Sequence, residues 1–394
     1  MFRNNQTLST ITTVLPNSVS KRLMDFVLSK EGTSCLYWKA RGTLLHESWL
    51  RRILPPIAPA KTMMQLIVPE HAVDRLVDDL VVESKLNMQA TGAIFSSQWS
   101  HCFVGPDFHT WPQIDAARKE DTAPKLSQTL NIIHGIVGHK VVDKVIKGAI
   151  DSGAHGPIVY YSEGRGLRDR LGWLRITKES EKEVLSIIAD DDDVGNIFDA
   201  MKKAGEIHLP GRGFMYRLKV GKGVFNIPSR VSHRHHAANI HQIINAIDHL
   251  AGHTHWRDQS VFDIGVSGRG VGIDILEKEA QPTTRYFCIE AITTRSNLNP
   301  LIDLMLDAGA PGLSFHYARY GGDESSTIAK ANINEDYAIM RAVAKEQNTP
   351  SICKAIEDKA VEQGITDLCV LVNPVEEVAT YVYKKKQQKQ RKAA

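Results

Sequence analysis

The sequence predicts an α+β fold in which one β-α-β-β-α-β unit occurs three times. Three stretches share a pattern of a glycine turn, an extended run of β-branched and aromatic residues, and a loop with glycine or arginine. The clearest copy is GAHGPIVYYSEGRG at residues 153–166; the others are EGTSCLYWKARGTL at residues 31–44 and GAPGLSFHYARYGG at residues 309–322. Helical periodicity on both sides of each stretch completes the repeated unit.

The first unit starts at the β-branched run STITTVLP, which predicts a strand. Asn17 or Ser18 is the predicted N-cap of a helix with Val19, Leu23 and Phe26 on one face. Three further strands are predicted in CLYWKARGTLL, TMMQLIVP and GAIFSSQW, and a second helix over HAVDRLVDDLVVESKL separates the last two. The order is therefore β-α-β-β-α-β.

The second and third units repeat this order. In the second unit, strands are predicted in LNIIHGIVG, PIVYYSE, EVLSIIAD and GFMYRLKV, helices in KVVDKVIKGAIDSGA and VGNIFDAMKKAG, and a polar loop in GRGLRDRLGWLRITKESEK. In the third, strands are predicted in RYFCIEAIT, LSFHYARY, DYAIMRAVA and DLCVLVNP, and helices in LNPLIDLMLDAG and PSICKAIEDKAVEQG, where Pro350 suits a first turn. Two antiparallel β-α-β halves describe a ferredoxin-like domain, so three such domains are expected.

The domain boundaries follow from these units. The stretch 105–127 is rich in Pro, Asp and Lys and lacks periodicity, which predicts a linker. A stretch with a histidine-rich helical part and a glycine-rich part fits no repeat. The predicted division is a first unit at 6–104, a linker at 105–127, a second unit at 128–230, an insertion at 231–282, a third unit at 283–383 and a basic tail at 384–394.

The composition is that of a globular protein, with 42% hydrophobic and 24% charged residues. A net charge of +3 is too small to predict a nucleic-acid partner. The five cysteines are scattered without a CxxC pair, which fits reduced thiols in the cytoplasm. No secretory signal peptide and no transmembrane segment are predicted. The basic tail is typical of a solvated terminus; docking on an acidic surface, lipid or RNA is the alternative.

These units, the second most clearly, resemble the PII signal-transduction family. The match rests on NIIHGIVGHKVVDKVIKGAIDSGAHG, SEGRG, IIADDDDVGNIFDAMKKAG and LPGRGFMYRL. The loop after the second strand matches the family's T-loop, which contacts target proteins, and the loop before the fourth strand matches the B-loop, which holds phosphates. The first and third units carry MQATGAIF and EQGITDLCVL at the B-loop position, so they are degenerate copies.

PII proteins are homotrimers with nucleotide sites in the clefts between subunits. The resemblance therefore implies an internal pseudo-trimer formed by one chain, with higher oligomers left open. It also implies binding of an adenine nucleotide (ATP, ADP, AMP or cyclic AMP), and of a small anion such as bicarbonate, between the units. The expected partner is a target protein such as a membrane transporter or a metabolic enzyme, controlled through mobile loops.

The first candidate binding stretch is LPGRGFMYR, with Gly211, Arg212 and Gly213. Glycines let backbone N–H groups approach an anion closely, and a guanidinium can bind two phosphate oxygens. The resemblance favours a phosphate-binding loop. A plain turn with an exposed arginine is the alternative from the local sequence.

The second candidate stretch is SEGRG, in which Gly164, Arg165 and Gly166 lie at the base of the matched T-loop. The resemblance implies contact there with the adenine and ribose or with a small co-ligand. Arg41 and Arg319 are expected at positions like that of Arg165 in the other units. A charged loop that is only solvated is the alternative.

Two clusters suggest other chemistry. Four consecutive aspartates at residues 190–193 can bind a metal ion, although capping of the following helix is the commoner use. The histidines at residues 233–255 can bind zinc or copper or sense pH, but a polar helix packing across units is favoured because no HExxH or zinc-finger spacing is present.

No nucleophile motif and no persuasive carboxylate pair is present, so enzymatic activity is not expected. Two alternatives to a nucleotide-binding regulator stay open. One is a structural or assembly protein that keeps the fold without ligands. The other is a metal-binding protein that uses the histidine-rich insertion.

Overall fold

The computed structural model describes residues 3–4, 7–29, 34–42, 60–86, 92–106, 108, 126–166, 181–226, 284–322 and 336–381. The chain divides into two units, Met1–Arg230 with Arg285–Ala394, and Val231–Thr284. The histidine-rich insertion and the basic tail lie outside the described residues, as does most of the predicted linker. Six α-helices and a 16-stranded antiparallel sheet within the described ranges confirm a mixed α+β fold.

The first segment of the sheet comprises β1 to β6 with helices α1 and α2. Its elements are β1 (Arg3–Asn4), β2 (Leu8–Pro16), α1 (Asn17–Leu28), β3 (Ser34–Gly42), β4 (Ala60–Pro69), α2 (Val73–Ser84), β5 (Gly92–Gln98) and β6 (His101–Val104). Strand β2 lies between β4 and β5, and β4 also pairs with β3. The spatial order is β5-β2-β4-β3.

The second segment comprises β7 to β11 with helices α3 and α4. Its elements are β7 (Leu130–Val137), α3 (His139–Asp151), β8 (Ile158–Gly166), β9 (Glu181–Asp190), α4 (Asp191–Ala204), β10 (Gly213–Lys219) and β11 (Gly223–Asn226). Strand β7 lies between β9 and β10, and β9 also pairs with β8. The spatial order β10-β7-β9-β8 matches that of the first segment.

The third segment comprises β12 to β16 with helices α5 and α6. Its elements are β12 (Tyr286–Thr294), α5 (Leu298–Asp307), β13 (Gly312–Gly322), β14 (Asp336–Lys345), α6 (Thr349–Gln363), β15 (Cys369–Val375) and β16 (Glu377–Thr380). Strand β12 lies between β14 and β15, and β14 also pairs with β13. The same strand order therefore occurs three times.

The register of pairing is also the same in the three segments. One residue pair at the centre of each segment shows this: Thr12–Gln65, His134–Ser186 and Glu290–Arg341. Counting from these pairs, any residue of one segment can be matched to its counterparts in the others.

Helix formation follows the apolar periodicity, but the caps differ from those predicted. Helix α3 buries Val142, Val145 and Ile146 on one face, as its spacing predicts. Helix α1 begins at Asn17 itself and has no side-chain cap, so the prediction of Asn17 or Ser18 as N-cap was wrong. Asn17 Oδ1 instead accepts a hydrogen bond from Thr62 Oγ1 at 2.8 Å, which removes it from the helix end.

Short terminal strands link the segments, which the sequence did not predict. β6 of the first segment pairs with β15 of the third, β11 of the second with β5 of the first, and β16 of the third with β10 of the second. Each segment therefore extends the sheet of a different segment. Each of the three sheets is completed by a strand from elsewhere in the chain.

The second strands β3, β8 and β13 pair with one another as well. Arg41 pairs with Val159, and Arg165 pairs with Leu313. Arg319 pairs with Tyr37, which closes the cycle with the same offset each time. Each strand therefore contacts both of the others, the beginning of one against the end of the next.

The apolar core lies in four clusters. Three lie between the sheet and the helix pairs α1–α2, α3–α4 and α5–α6. The fourth lies on the opposite face of the sheet and contains residues of all three segments. Within it, Trp38, Tyr160 and His316 occupy matched positions, and their ring centroids are 4.8 to 6.0 Å apart.

Candidate functional site

The two predicted binding stretches lie at the same end of the second segment's strands, which we call the outer edge. Across the strands, Tyr161 pairs with Glu183, Glu183 with Val137, and Val137 with Gly213. At about 4.8 Å between neighbouring strands, this row spans about 14 Å. Residues 164–166 continue from Tyr161 along the same edge. The phosphate-loop candidate therefore lies three strand spacings from Tyr161, and the T-loop base lies three to five residues further along β8.

Residues 211–213 form a turn that requires glycine at both ends. Gly211 has φ 78° and Gly213 has φ 145°, a region that favours glycine. A Cβ on Gly213 would come within 2.7 Å of the Ile136 carbonyl oxygen. Arg212 Nη2 lies 2.9 Å from Glu206 Oε2, and both side chains remain exposed. The guanidinium is thus held at the turn while still open to an anion.

Residues 164–166 belong to strand β8, although the sequence placed them in a loop. Gly164 pairs with Ser314, and Gly166 pairs with Gly312, because β8 continues along the neighbouring β13. A Cβ on Gly312 would lie only 3.2 Å from the Arg165 carbonyl oxygen. These glycines therefore let two strands approach closely. Arg165 Nε is buried without a hydrogen-bond partner among the described residues.

The start of helix α3 lies on the same edge and carries positive character. Its first residue, His139, follows Gly138, no side chain caps the helix, and its first turn contains no acidic residue. Backbone N–H groups at such a helix start attract anions. Glu183 accepts a hydrogen bond from Arg41 Nη2 at 2.9 Å through Oε1 and contacts His139 Nδ1 at 3.1 Å through Oε2. The edge thus includes an arginine from the first segment.

Part of this arrangement has no signal in the sequence. His139 and Glu183 carried no motif; only their positions at strand and helix ends could have pointed to them. Arg41 was expected to match Arg165, but the strand register was misjudged. Counting from the matched pairs, Arg41 and Arg319 correspond to Glu163, two residues earlier.

The third segment has a carboxylate where the second has Arg212. Counting along the fourth strands from Tyr216 and Leu371, which pair with His134 and Glu290, Arg212 matches Asp367. Asp367 Oδ2 accepts a hydrogen bond from the backbone N–H of Thr294 at 2.7 Å. Thr294 precedes a three-residue 3-10 turn, Arg295–Asn297, that leads into α5, so a carboxylate of the chain is bound at the start of this turn.

A charged network joins the three segments in the central cluster. Glu290 accepts hydrogen bonds from Gln65 Nε2 at 2.7 Å and from Arg341 Nε at 2.5 Å, and Arg341 Nη1 donates to the Tyr160 hydroxyl at 2.8 Å. The Glu290 side chain is 1% exposed. Burial disfavours the charge of Arg341, but Glu290 together with Tyr160, Tyr216 and Cys288 outweighs it and raises the pKa of Arg341 above its ordinary value.

Two histidines lie beside this network and are held neutral. Burial, and then the charge of Arg341, lower the pKa of His134 and of His316 well below their ordinary value. His134 Nδ1 lies 2.9 Å from Ser186 Oγ. A cavity of about 30 Å³ next to His134 and Glu290 is lined by residues of all three segments. It is far too small for a nucleotide, so the outer edge is the better candidate site.

The aspartates at residues 190–193 take structural contacts. Asp190 is the N-cap residue of α4 but makes no capping hydrogen bond, so side-chain capping was wrong, while three aspartates fill the first helical turn. Asp190 Oδ1 accepts from Ser127 Oγ at 3.3 Å, and Asp191 accepts from Asn131. In the described part of the chain, no group of three or more His, Cys, Asp or Glu side chains is placed to hold a metal ion.

The cysteines of the described residues are buried thiols. Burial raises the pKa of Cys35 to about 12 and that of Cys102 to about 11, so both stay protonated near neutral pH. Cys288 and Cys353 behave in the same way, with pKa values raised to about 12. Their role is packing in the apolar clusters.

No protein-family model and no curated protein matches this chain. Within the described ranges, no helix is long and apolar enough to cross a membrane.

Proposed function

We propose that this protein is a PII-like regulator that binds an adenine nucleotide at the edge formed by residues 164–166 and 211–213. In this proposal, the three segments are ferredoxin-like units arranged as an internal pseudo-trimer. Three features support that arrangement: the strand order is repeated, the register is the same, and β3, β8 and β13 pair in a cycle with one constant offset.

The observation that carries the nucleotide proposal is the convergence at one edge of three anion-attracting elements. These are the glycine turn with Arg212, which pairs with Glu206; the start of α3, which has no side-chain cap; and Arg41 from the neighbouring segment, which pairs with Glu183. The phosphates would lie against Arg212 and the helix start, where N–H groups point outward. The base would extend toward β8 along the row of paired strands, which spans about 14 Å. A small anion such as bicarbonate fits beside the phosphates by the same chemistry.

Regulation follows from where β8 ends. The segment matched to the T-loop begins directly after Gly166, so a ligand that contacts residues 164–166 acts on the first residues of that segment. A ligand shifts a loop only if it binds the loop's states unequally. We propose that the nucleotide favours one loop state, which then contacts a membrane transporter or a metabolic enzyme in the cytoplasm.

Calorimetry with ATP, ADP, AMP and cyclic AMP tests the proposal. Arg212→Gln is expected to weaken binding of the preferred nucleotide at least tenfold, because a charged hydrogen bond to phosphate contributes about 1.5–3 kcal/mol. Arg22→Gln is the matched control, since Arg22 also pairs with an exposed glutamate, Glu83, but on the outer helices. If none of the four nucleotides binds the wild-type protein, the nucleotide proposal falls.

A second candidate function is structural or assembly. Asp367 favours it, because the third segment keeps its fold with a carboxylate where the second segment has Arg212, and this carboxylate is bound to the backbone N–H of Thr294. The two functions separate in the same titration. A structural protein binds no nucleotide, so the titrations of the wild-type protein and of Arg212→Gln are the same.

A further inference from the structure

We propose that the cavity in the central cluster is a binding site for water, with room for one or two molecules that complete the hydrogen bonds between the three segments. The cavity has a volume of about 30 Å³, and one water molecule needs at least about 10–15 Å³. This inference is independent of the nucleotide proposal, because it concerns the interior of the molecule and not its outer edge.

The cavity exists because the first segment contributes a small side chain to the centre. Thr12, His134 and Glu290 occupy matched positions on the first strand of each segment, and all three line the cavity. A threonine is smaller than a histidine or a glutamate, so this position is underfilled on the side of the first segment. The side chain of Arg341, another lining residue, is 14% exposed although it lies in the central cluster, so a molecule of the size of water fits against it.

The Gln65 amide supplies a hydrogen-bond acceptor at the cavity. Gln65 is 2% exposed, and its Nε2 donates to Glu290, so Oε1 is the amide atom that remains. Oε1 is buried and has no hydrogen-bond partner in the part of the chain that the structure describes. Buried polar atoms of folded proteins nearly always have a partner, in many cases an ordered water.

The directions of the hydrogen bonds make His134 the complementary donor. A guanidinium can only donate, so the Tyr160 hydroxyl oxygen accepts from Arg341 Nη1 at 2.8 Å. The Tyr160 proton is then directed to its other partner, Ser186, and the Ser186 proton to His134 Nδ1 at 2.9 Å. A neutral imidazole that accepts at Nδ1 carries its proton on Nε2. A water molecule in the cavity can therefore accept from His134 Nε2 and donate to Gln65 Oε1.

The charges of the lining residues select a neutral ligand. Glu290 and Arg341 form an ion pair with 2.5 Å between Oε2 and Nε, and His134 is neutral, so the lining has no net charge. A cation would lie against Arg341 and an anion against Glu290, and a buried ion without its own counter-charge is unfavourable. The volume excludes larger neutral molecules, so water is the ligand that fits.

A crystal structure of the full chain, at a resolution that shows ordered water, tests the site directly. At pH 7.5, one or two water peaks are expected in the cavity, at about 2.7–3.2 Å from Gln65 Oε1 and from His134 Nε2. The proposal is overturned if the cavity shows no density, if protein side chains fill it, or if a peak has the coordination of an ion.

Oxygen-17 relaxation dispersion counts long-lived internal waters in solution and needs no crystal. Thr12→Ile keeps the branch at Cβ and adds bulk at the cavity, so it is expected to remove at least one such water. It is also expected to lower Tm by about 1–3 °C, because an apolar group leaves Gln65 Oε1 and His134 Nε2 without a partner. Thr7→Val, at an exposed position, is the control and is expected to change neither quantity.

Two results in solution would overturn the proposal. One is an unchanged count of internal waters in Thr12→Ile, and the other is a higher Tm, which is the result of filling a dry cavity. If Thr12→Ile does not fold, the crystal structure of the wild-type chain decides.

Discussion

Lowering the pH from about 7.5 to about 5.5 is expected to destabilise the protein by about 3 kcal/mol through His134 and His316. Both imidazoles are buried in the central cluster, close to the positive charge of Arg341, and the pKa of each lies well below its ordinary value. In the unfolded chain each takes up a proton near pH 6.5. The unfolded state therefore binds more protons below that pH, and stability that is complete above it is lost on acidification.

The magnitude follows from the linkage relation. If a histidine stays neutral in the folded protein at pH 5.5, its protonation favours the unfolded chain by RT ln(1 + 10), or about 1.4 kcal/mol. Two such histidines give about 3 kcal/mol, and their contribution at pH 7.5 is negligible beside this. This loss is a sizeable part of the 5–15 kcal/mol that is typical of a folded domain.

Urea unfolding at the two pH values measures the loss. Variants isolate the two groups: His134→Asn keeps a polar partner for Ser186, and His316→Phe keeps the ring contacts with Trp38 and Tyr160. Each variant is expected to reduce the pH-dependent loss by about 1.4 kcal/mol, relative to its own stability at pH 7.5. His71→Gln, at an exposed position, is the control and is expected to leave it unchanged.

The reasoning is refuted if both variants show the full wild-type loss on acidification. That result would mean that both imidazoles remain able to take up protons in the folded protein, against their burial and the charge of Arg341. An equal reduction in the His71→Gln variant would point instead to a general effect of histidine content.

Two further variants test the core and the glycine turn. Arg341→Met leaves Glu290 as an unpaired buried charge, so it is expected to lower the free energy of unfolding in urea by about 3–5 kcal/mol. Adding Glu290→Leu is expected to recover most of that loss. A double variant as unstable as the single one contradicts this. Gly213→Ala is expected to destabilise the protein by about 1–3 kcal/mol, because its Cβ meets the Ile136 carbonyl. Gly195→Ala, in an open helical position, is expected to stabilise it by about 0.5–1 kcal/mol. Changes of the same sign in the two variants would contradict the geometry.

The sequence predicted the local elements well because their signals are local. Neighbouring residues alone predict a strand in the β-branched run before α1 and a helix in the apolar stripe of α3. Pro350 in the first turn of α6 was predicted for the same reason. The order of strands then follows from the short connections between them.

The remaining features depend on contacts between distant parts of the chain. Strands β6, β11 and β16 have four residues each, and partners in other segments determine their pairing. Asp367 lies 73 residues from Thr294, whose backbone N–H it binds, so no local capping pattern in the sequence predicts this contact. Arg41 was matched to Arg165 by its glycine-arginine motif, whereas the register of hydrogen bonds matches it to Glu163, two residues earlier. The candidate site was therefore predicted at its two glycine stretches and missed where other segments complete it.

The buried ion pair of Glu290 and Arg341 in the central cluster would differ in an assembly of three identical chains. An arrangement of identical chains repeats every central residue, so a glutamate there would bring two more buried glutamates close to it. Like charges at such separations in a dry interior cannot all stay ionised. Because the matched positions of this chain carry Thr12 and Gln65, His134 and Ser186, and Glu290 and Arg341, one anion meets one cation. Joining the three segments in one polypeptide permits a single buried ion pair at this centre, whereas threefold symmetry would place three copies of every charged residue there.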